Sequence, residues 1–357
     1  CPSAANNNYW PEMYTNMAIV DAHRRHPYSD TLSPKRFGAV SSLDPEFFSR
    51  IDDFAEALLH GTDSGKYSPA EVAAYLEELA GDSAKALATA SRRMRQGGEP
   101  AFRRAAADIA IQNGLGRFFA WKFRAAILFA IYSQTGSVPA LRRAREAYGR
   151  ARGFWAEMAE AARPIYREDV TFGPEDFQRG HWTARLPAID ADLADMDKLL
   201  EQNGKPAGTE EPVKILADAH RVEEALRAVM APTPRLRDRL SHVAPRSFRR
   251  GEPLMLSVSE RARQRGAEIK SVSLRYRQVN QGEIWQSCEM GAVGATAHFE
   301  ATIPASYTDS PFSLQYHFAL TTTNGRAALF PGFEPGFRGQ PYFVVELSGR
   351  TRGRKAG

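Results

Sequence analysis

The chain has 357 residues, 43% hydrophobic and 25% charged, with 47 Lys and Arg against 42 Asp and Glu. That length allows two or three domains, each large enough for its own core, and the composition excludes wholesale disorder. The charge is uneven: residues 245–357 carry 15 basic against 9 acidic side chains, the remainder 32 against 33. No basic stripe interleaved with aromatics stands out, which disfavours a nucleic-acid partner. Cys1 and Cys288 lie far apart, with no CxxC and no Cys/His cluster, so neither a metal nor another cofactor is expected. The opening Cys1 fits a piece of a longer protein, the reading preferred here. It also fits the acylated first residue of a mature bacterial lipoprotein.

Residues 1–43 lack helical period and are rich in Asn, Pro, Ser and Tyr. So long an irregular stretch is unusual within a compact domain and is expected to pack on an upstream domain. A helical domain follows over residues 44–202. Asp44 caps, Pro45 takes the first helical position, and Phe47, Phe48, Ile51, Phe54, Leu58 and Leu59 form a stripe that Gly61 stops. Ser68-Pro-Ala-Glu71 is a capping box opening a second helix.

The stretch from Ala101 to Tyr132 predicts a long central helix. Phe102, Ala106, Ile109, Gly116, Phe119, Phe123, Ile127 and Ala130 share one face, and the second half is apolar nearly all round. Its uncharged run from Ala125 to Tyr132 is far short of the ~20 residues of a membrane span. A fourth helix begins near Ser137 and Pro139. A fifth carries Trp182, Leu186, Ile189, Leu193, Met196 and Leu200, with Asp190, Asp192, Asp195 and Asp197 expected on its solvated side. Short connections favour antiparallel neighbours in a bundle or array.

Residues 203–244 read as a linker with a connecting helix around Ala219, Leu226 and Val229. From 245 to 347 the period falls to two: Val272, Leu274 and Tyr276 face in while Ser273, Arg275 and Arg277 face out. Seven short strands, with Asn324-Gly325 as a hairpin turn, predict a β-sandwich of the immunoglobulin or fibronectin type. Residues 348–357, with Arg350, Arg352, Arg354 and Lys355, form a basic tail that reads as solvated chain. The fold class is thus multidomain α + β, an all-α antiparallel bundle or array followed by a sandwich.

Two groups attract attention as chemistry. In Tyr9-Trp-Pro-Glu-Met-Tyr-Thr-Asn16, the rings of Tyr9, Trp10 and Tyr14 suit the apolar faces of sugars, and Asn16 suits their hydroxyls. Glu12 beside Trp10 is a weak candidate for a general acid, since a raised carboxyl pKa is what glycosidases use. The same segment also fits aromatics plugging a neighbouring domain. His181 and Trp182 at a helix start, then Arg185 and Asp190, could line a groove, or could simply cap and anchor that helix. His23 and His26 with Asp21 and Asp30 match no metal-ligand spacing.

The Asn8-to-Asn16 segment, the Gly180-His-Trp…Arg-Leu-Pro-Ala-Ile-Asp190 stretch, and the sandwich phrases Ile303-Pro-Ala, Tyr316-His-Phe, Pro331-Gly-Phe and Gln340-Pro-Tyr-Phe-Val-Val345 together resemble a known architecture. It is the C-terminal region of large bacterial glycoside-hydrolase-like proteins of the β-hexosaminidase or α-glucuronidase sort. There a helical domain and a sandwich follow a catalytic barrel. The resemblance implies a secreted or periplasmic carbohydrate-active protein, a catalytic domain upstream in the same polypeptide, and a polysaccharide or oligosaccharide as possible partner. It carries over no catalytic residue. Two other readings stay open. One is a carbohydrate-binding module using Trp285, Tyr307 or Phe337. The other is a self-contained polysaccharide-lyase-like enzyme using Tyr166, His181 and Arg185.

Overall fold

A computed structural model describes residues 17–24, 36–42, 44–94, 99–170, 179–202, 218–237, 239–261, 267–280, 282–294 and 297–348. The chain divides into two compact units: residues 1–61 with 67–233, and residues 62–66 with 234–357. The architecture is the multidomain α + β one that the sequence periods predict, helices first and strands after.

The first unit contains α1 (Ile51–His60), α2 (Pro69–Arg93), α3 (Pro100–Thr135), α4 (Val138–Ala162), α5 (Leu186–Glu201) and α6 (Ala219–Met230). The capping box forms as expected: Ser68 Oγ accepts from the Glu71 N–H, and Glu71 Oε2 accepts from the Ser68 N–H at 2.8 Å. α1 starts later than its sequence suggests. Residues 45–47 form a turn, Phe48 makes an isolated bridge with Tyr67, and helix begins at Ile51. Phe47 and Phe48 are buried all the same. Their apolar pattern reports burial, and the exchange of hydrogen bonds between the Phe47–Ser49 and Tyr67 backbones decides the conformation.

α3 is the centre of this unit. Packing against α2, α4, α1 and α6 explains the all-round apolar character of its second half. Every residue from Lys122 to Tyr132 is buried. That run includes Lys122, 1% exposed, and Arg124, 4% exposed and paired with Glu77 at 2.5 Å. Gly136, in the left-handed region at φ 75°, ends the helix by donating its N–H to the Tyr132 carbonyl.

The second unit packs two sheets face to face: one in the order β1 (Leu240–Ser241), β3 (Leu254–Glu260), β7 (His298–Ile303), β6 (Gly291–Ala292), the other in the order β2 (Ser247–Phe248), β10 (Phe343–Leu347), β8 (Leu314–Thr322), β4 (Ile269–Gln278), β5 (Gln286–Glu289), with β9 (Ala327–Phe330) alongside β8. Val272, Leu274 and Tyr276 meet Leu256, Val258, Phe299 and Ile303 in one core, as the alternation requires. β1 (Leu240–Ser241) precedes the expected boundary at 245 and pairs with β3. Two residues are too few for alternation to register in the sequence. Residues 62–66 join this unit through Asp63, whose Oδ2 accepts the Ala327 N–H at 3.1 Å.

Candidate functional site

A buried polar group in the helical unit forms a clamp on residues 17–24. Met17, Ala18 and Ile19 are 2%, 3% and 0% exposed. The Asp192 carboxylate accepts two successive backbone N–H groups, Ile19 at 2.8 Å and Val20 at 3.1 Å. Lys122 donates to the Met17 carbonyl at 2.8 Å, its ammonium 4.4 Å from the centre of the Phe37 ring. The Phe37 N–H donates to the Ala18 carbonyl at 2.7 Å, and its ring stacks on Phe123 at 5.7 Å. At the outer end Arg24 pairs with Asp195 at 2.5 Å.

Asp192 is 1% exposed, not on a solvated face as its acidic neighbours suggest. It lies three residues after Ile189 and four before Met196, on the buried stripe of α5. Burial lifts its carboxyl above the ordinary range, against the Ile19 N–H, the Lys122 charge and the Val20 N–H, which favour ionisation. The Tyr148 hydroxyl also hydrogen-bonds Asp192; burial, then the carboxylate charge, pushes that phenol well up. Such a group fixes backbone. It offers no accessible proton donor or nucleophile, so its chemistry is positional.

Of the residues singled out in the sequence, Tyr9, Trp10, Glu12, Tyr14 and Asn16 lie outside the described residues, as do His26 and Asp30. They directly precede or flank the clamped stretch in sequence. His23 is exposed, and its N–H caps back onto Asp21. Among the described residues no group of three or more His, Cys, Asp or Glu is placed to hold a metal.

His181, Trp182 and Arg185 come together with Tyr166 at the turn before α5. His181 caps that turn, its Nδ1 accepting the Thr183 N–H at 3.2 Å, which places the proton of the neutral ring on Nε2. Burial, then the Arg163 charge, lowers its pKa, so the ring is neutral near pH 7. Trp182 packs edge-on to both His181 and Tyr166 at 5.3 Å, and its carbonyl accepts from Trp155 Nε1 at 2.8 Å. His181 Nε2 and Trp182 Nε1 are buried without a hydrogen-bond partner among the described residues. The Tyr166 hydroxyl donates to Asp108, and Arg185 donates to the Arg179 carbonyl. Tyr166, through Asp108, and Trp182, through Trp155, tie the turn to α3 and α4, while His181 and Arg185 bond within the loop itself.

On the sandwich, Trp285 lies edge-on to His317 at 5.0 Å, with the Arg277 guanidinium 4.7 Å over its ring. Tyr307 packs edge-on to the core residue Tyr276, and Phe337 pairs with Phe333 at 6.0 Å. All three rings are half-buried and engaged with neighbours. A ring covered by a guanidinium does not present that face to a sugar.

No family model matches the chain, and no curated protein matches it. Among solved structures it is similar to a GH138 enzyme targeting pectin rhamnogalacturonan II, at 14% identity and a TM-score of 0.38. That match covers 44% of this chain, which spans 24% of the length of the hydrolase. It is also similar to the Pseudomonas fluorescens alkylpurine DNA glycosylase AlkC bound to DNA containing an abasic site analog, at 12% identity and a TM-score of 0.21, covering 83% of this chain and 95% of that one. These are weak likenesses, and neither carries an assignment. Among the described residues, no helix is long and apolar enough to cross a membrane.

Proposed function

We propose that this chain is an accessory region, without turnover of its own, of an exported carbohydrate-active protein of the glycoside-hydrolase type. Its helical unit holds the Tyr9–Asn16 segment in place for a catalytic domain of the same polypeptide. The observation that supports this reading is the clamp. Residues 17–19, which directly follow the aromatic and amide-rich segment, are buried, and the backbone of residues 17, 19 and 20 is gripped by Lys122 and Asp192. A side chain that stacks on a sugar or protonates a leaving group must be held to within a fraction of an ångström, and buried hydrogen bonds next to it in sequence are a physical means of doing so. In this reading Tyr9, Trp10, Tyr14 and Asn16 contact saccharide, and Glu12 is the carboxylate to test first.

The test compares glycan turnover by the isolated 357-residue chain and by the protein as its native host makes it. The reading expects turnover from the native protein and none from the chain. Hydrolysis by the chain alone would overturn the accessory assignment. In the native protein, Glu12→Gln should lower turnover by about 100-fold or more if Glu12 is the acid; near-normal turnover removes it from that role.

A further inference from the structure

Three helices of the first unit line an open groove of about 390 Å³. α3 forms its floor through Ala110, Asn113, Gly114 and Arg117, a run at i, i+3, i+4 and i+7 that lies along one face. Such a run extends about 10 Å along the helix axis. α2 forms one wall through Ala84, Leu87 and Ala88, and α4 the other through Phe154, Glu157 and Met158. The small floor residues make the depth. Gly114 is required there, since a Cβ would come within 2.5 Å of Met158 Cβ.

Among the polar side chains that line this groove, Asn113 is buried, Arg117 half-buried and Glu157 exposed. Asn113 is 9% exposed, yet no hydrogen bond joins its amide to another described residue. Arg117 and Glu157 line the same groove and pair neither with each other nor with any other described residue. Arg117 only stacks over Phe154, at 5.6 Å. A guanidinium donates, a carboxylate accepts, and an amide does both.

We propose that this groove binds a saccharide, whose hydroxyls meet Asn113, Arg117 and Glu157 while its C–H face rests on the Ala110–Gly114 floor. The inference rests on the carbohydrate-active reading and adds to it a site on the helical unit. Neighbouring sugar hydroxyls each donate and accept, which matches all three side chains at once. An alkyl chain would leave Asn113 and Glu157 unmatched, and a polyanion would meet the Glu157 carboxylate. The volume lies within the usual range for small-ligand sites, which favour clefts between helices.

The test is calorimetric titration of the 357-residue chain with a panel of neutral and uronate-containing oligosaccharides. Binding of at least one is expected. It should weaken about tenfold or more in Asn113→Ala and Arg117→Gln, and in Ala88→Leu, which fills the groove without touching its polar groups. Thermal unfolding of each variant guards against loss of fold. A saccharide bound equally well by wild type and Ala88→Leu would overturn the groove as the site and leave the proposed function standing. Silence across the panel would also overturn it, and turnover of the same panel by the native protein would then keep the proposed function alive. Absence of both would end the two together.

Discussion

Asp192 accepts the backbone N–H of Ile19 at 2.8 Å across 173 positions of sequence, with no water-facing side to its carboxylate. This bond and its neighbour from Val20 tie irregular chain to the most buried acid of α5. Replacing Asp192 by Ala leaves two buried backbone donors without their acceptor and removes the negative charge that acts on Lys122. A loss of about 3–5 kcal/mol is expected, as for other broken buried charge partners. Chemical denaturation measures that loss. Hydrogen exchange should show Ile19 and Val20 amides protected in the wild type and fast in the variant.

Lys122 and Asp192 influence each other inside the same apolar surroundings. In a double-mutant cycle of Lys122→Met and Asp192→Ala, the two losses should not add, with a coupling of about 0.5–3 kcal/mol. Strict additivity would mean that the two residues hold the segment independently.

The Ser68–Glu71 capping box gives a milder expectation. Ser68→Ala removes the side-chain acceptor for the Glu71 N–H and should cost about 1 kcal/mol of stability in the helical unit. The fold should remain, and denaturation of the variant reads the change.

In the sandwich, His242 Nδ1 lies 2.6 Å from the Ser257 carbonyl, to which it donates, and Nε2 accepts from the Tyr316 hydroxyl at 2.8 Å. Burial lowers the His242 pKa, outweighing the Ser257 carbonyl, which raises it. A base with a depressed folded pKa contributes stability above its ordinary value near 6.5, and that contribution is lost as pH falls through the folded value. Unfolding of the second unit should therefore occur at lower temperature at pH 5 than at pH 7.5. His242→Phe should flatten that dependence; an unchanged slope would assign it to other groups.

Much of the fold was legible because burial imposes its period on the chain. The 3.6 spacing of α3, the Ser68–Glu71 box and the alternation of β4 each appear where the residues place them. The late start of α1 was not legible, because Phe47 and Phe48 are buried in a turn as they would be in a helix. The clamp was half legible. Asp192 sits on the same stripe as Ile189, Leu193 and Met196, and Lys122 four residues after Phe118, so both stand on buried faces. The charge of Asp192 and its acidic neighbours suggests solvent, but its position on the stripe says core. Long-range partners such as Met17 and Ile19 leave no mark in local spacing. The groove residues Asn113 and Arg117 carried no signal either, since unpartnered polar groups show only in three dimensions.

The measurement closest to the central claim is glycan turnover by the native protein carrying Asp192→Ala, at a temperature where the variant remains folded. If the helical unit positions the Tyr9–Asn16 segment for catalysis, turnover should fall about tenfold or more while the isolated chain stays inactive. Wild-type turnover from a variant whose Ile19 and Val20 amides have lost protection would contradict the account.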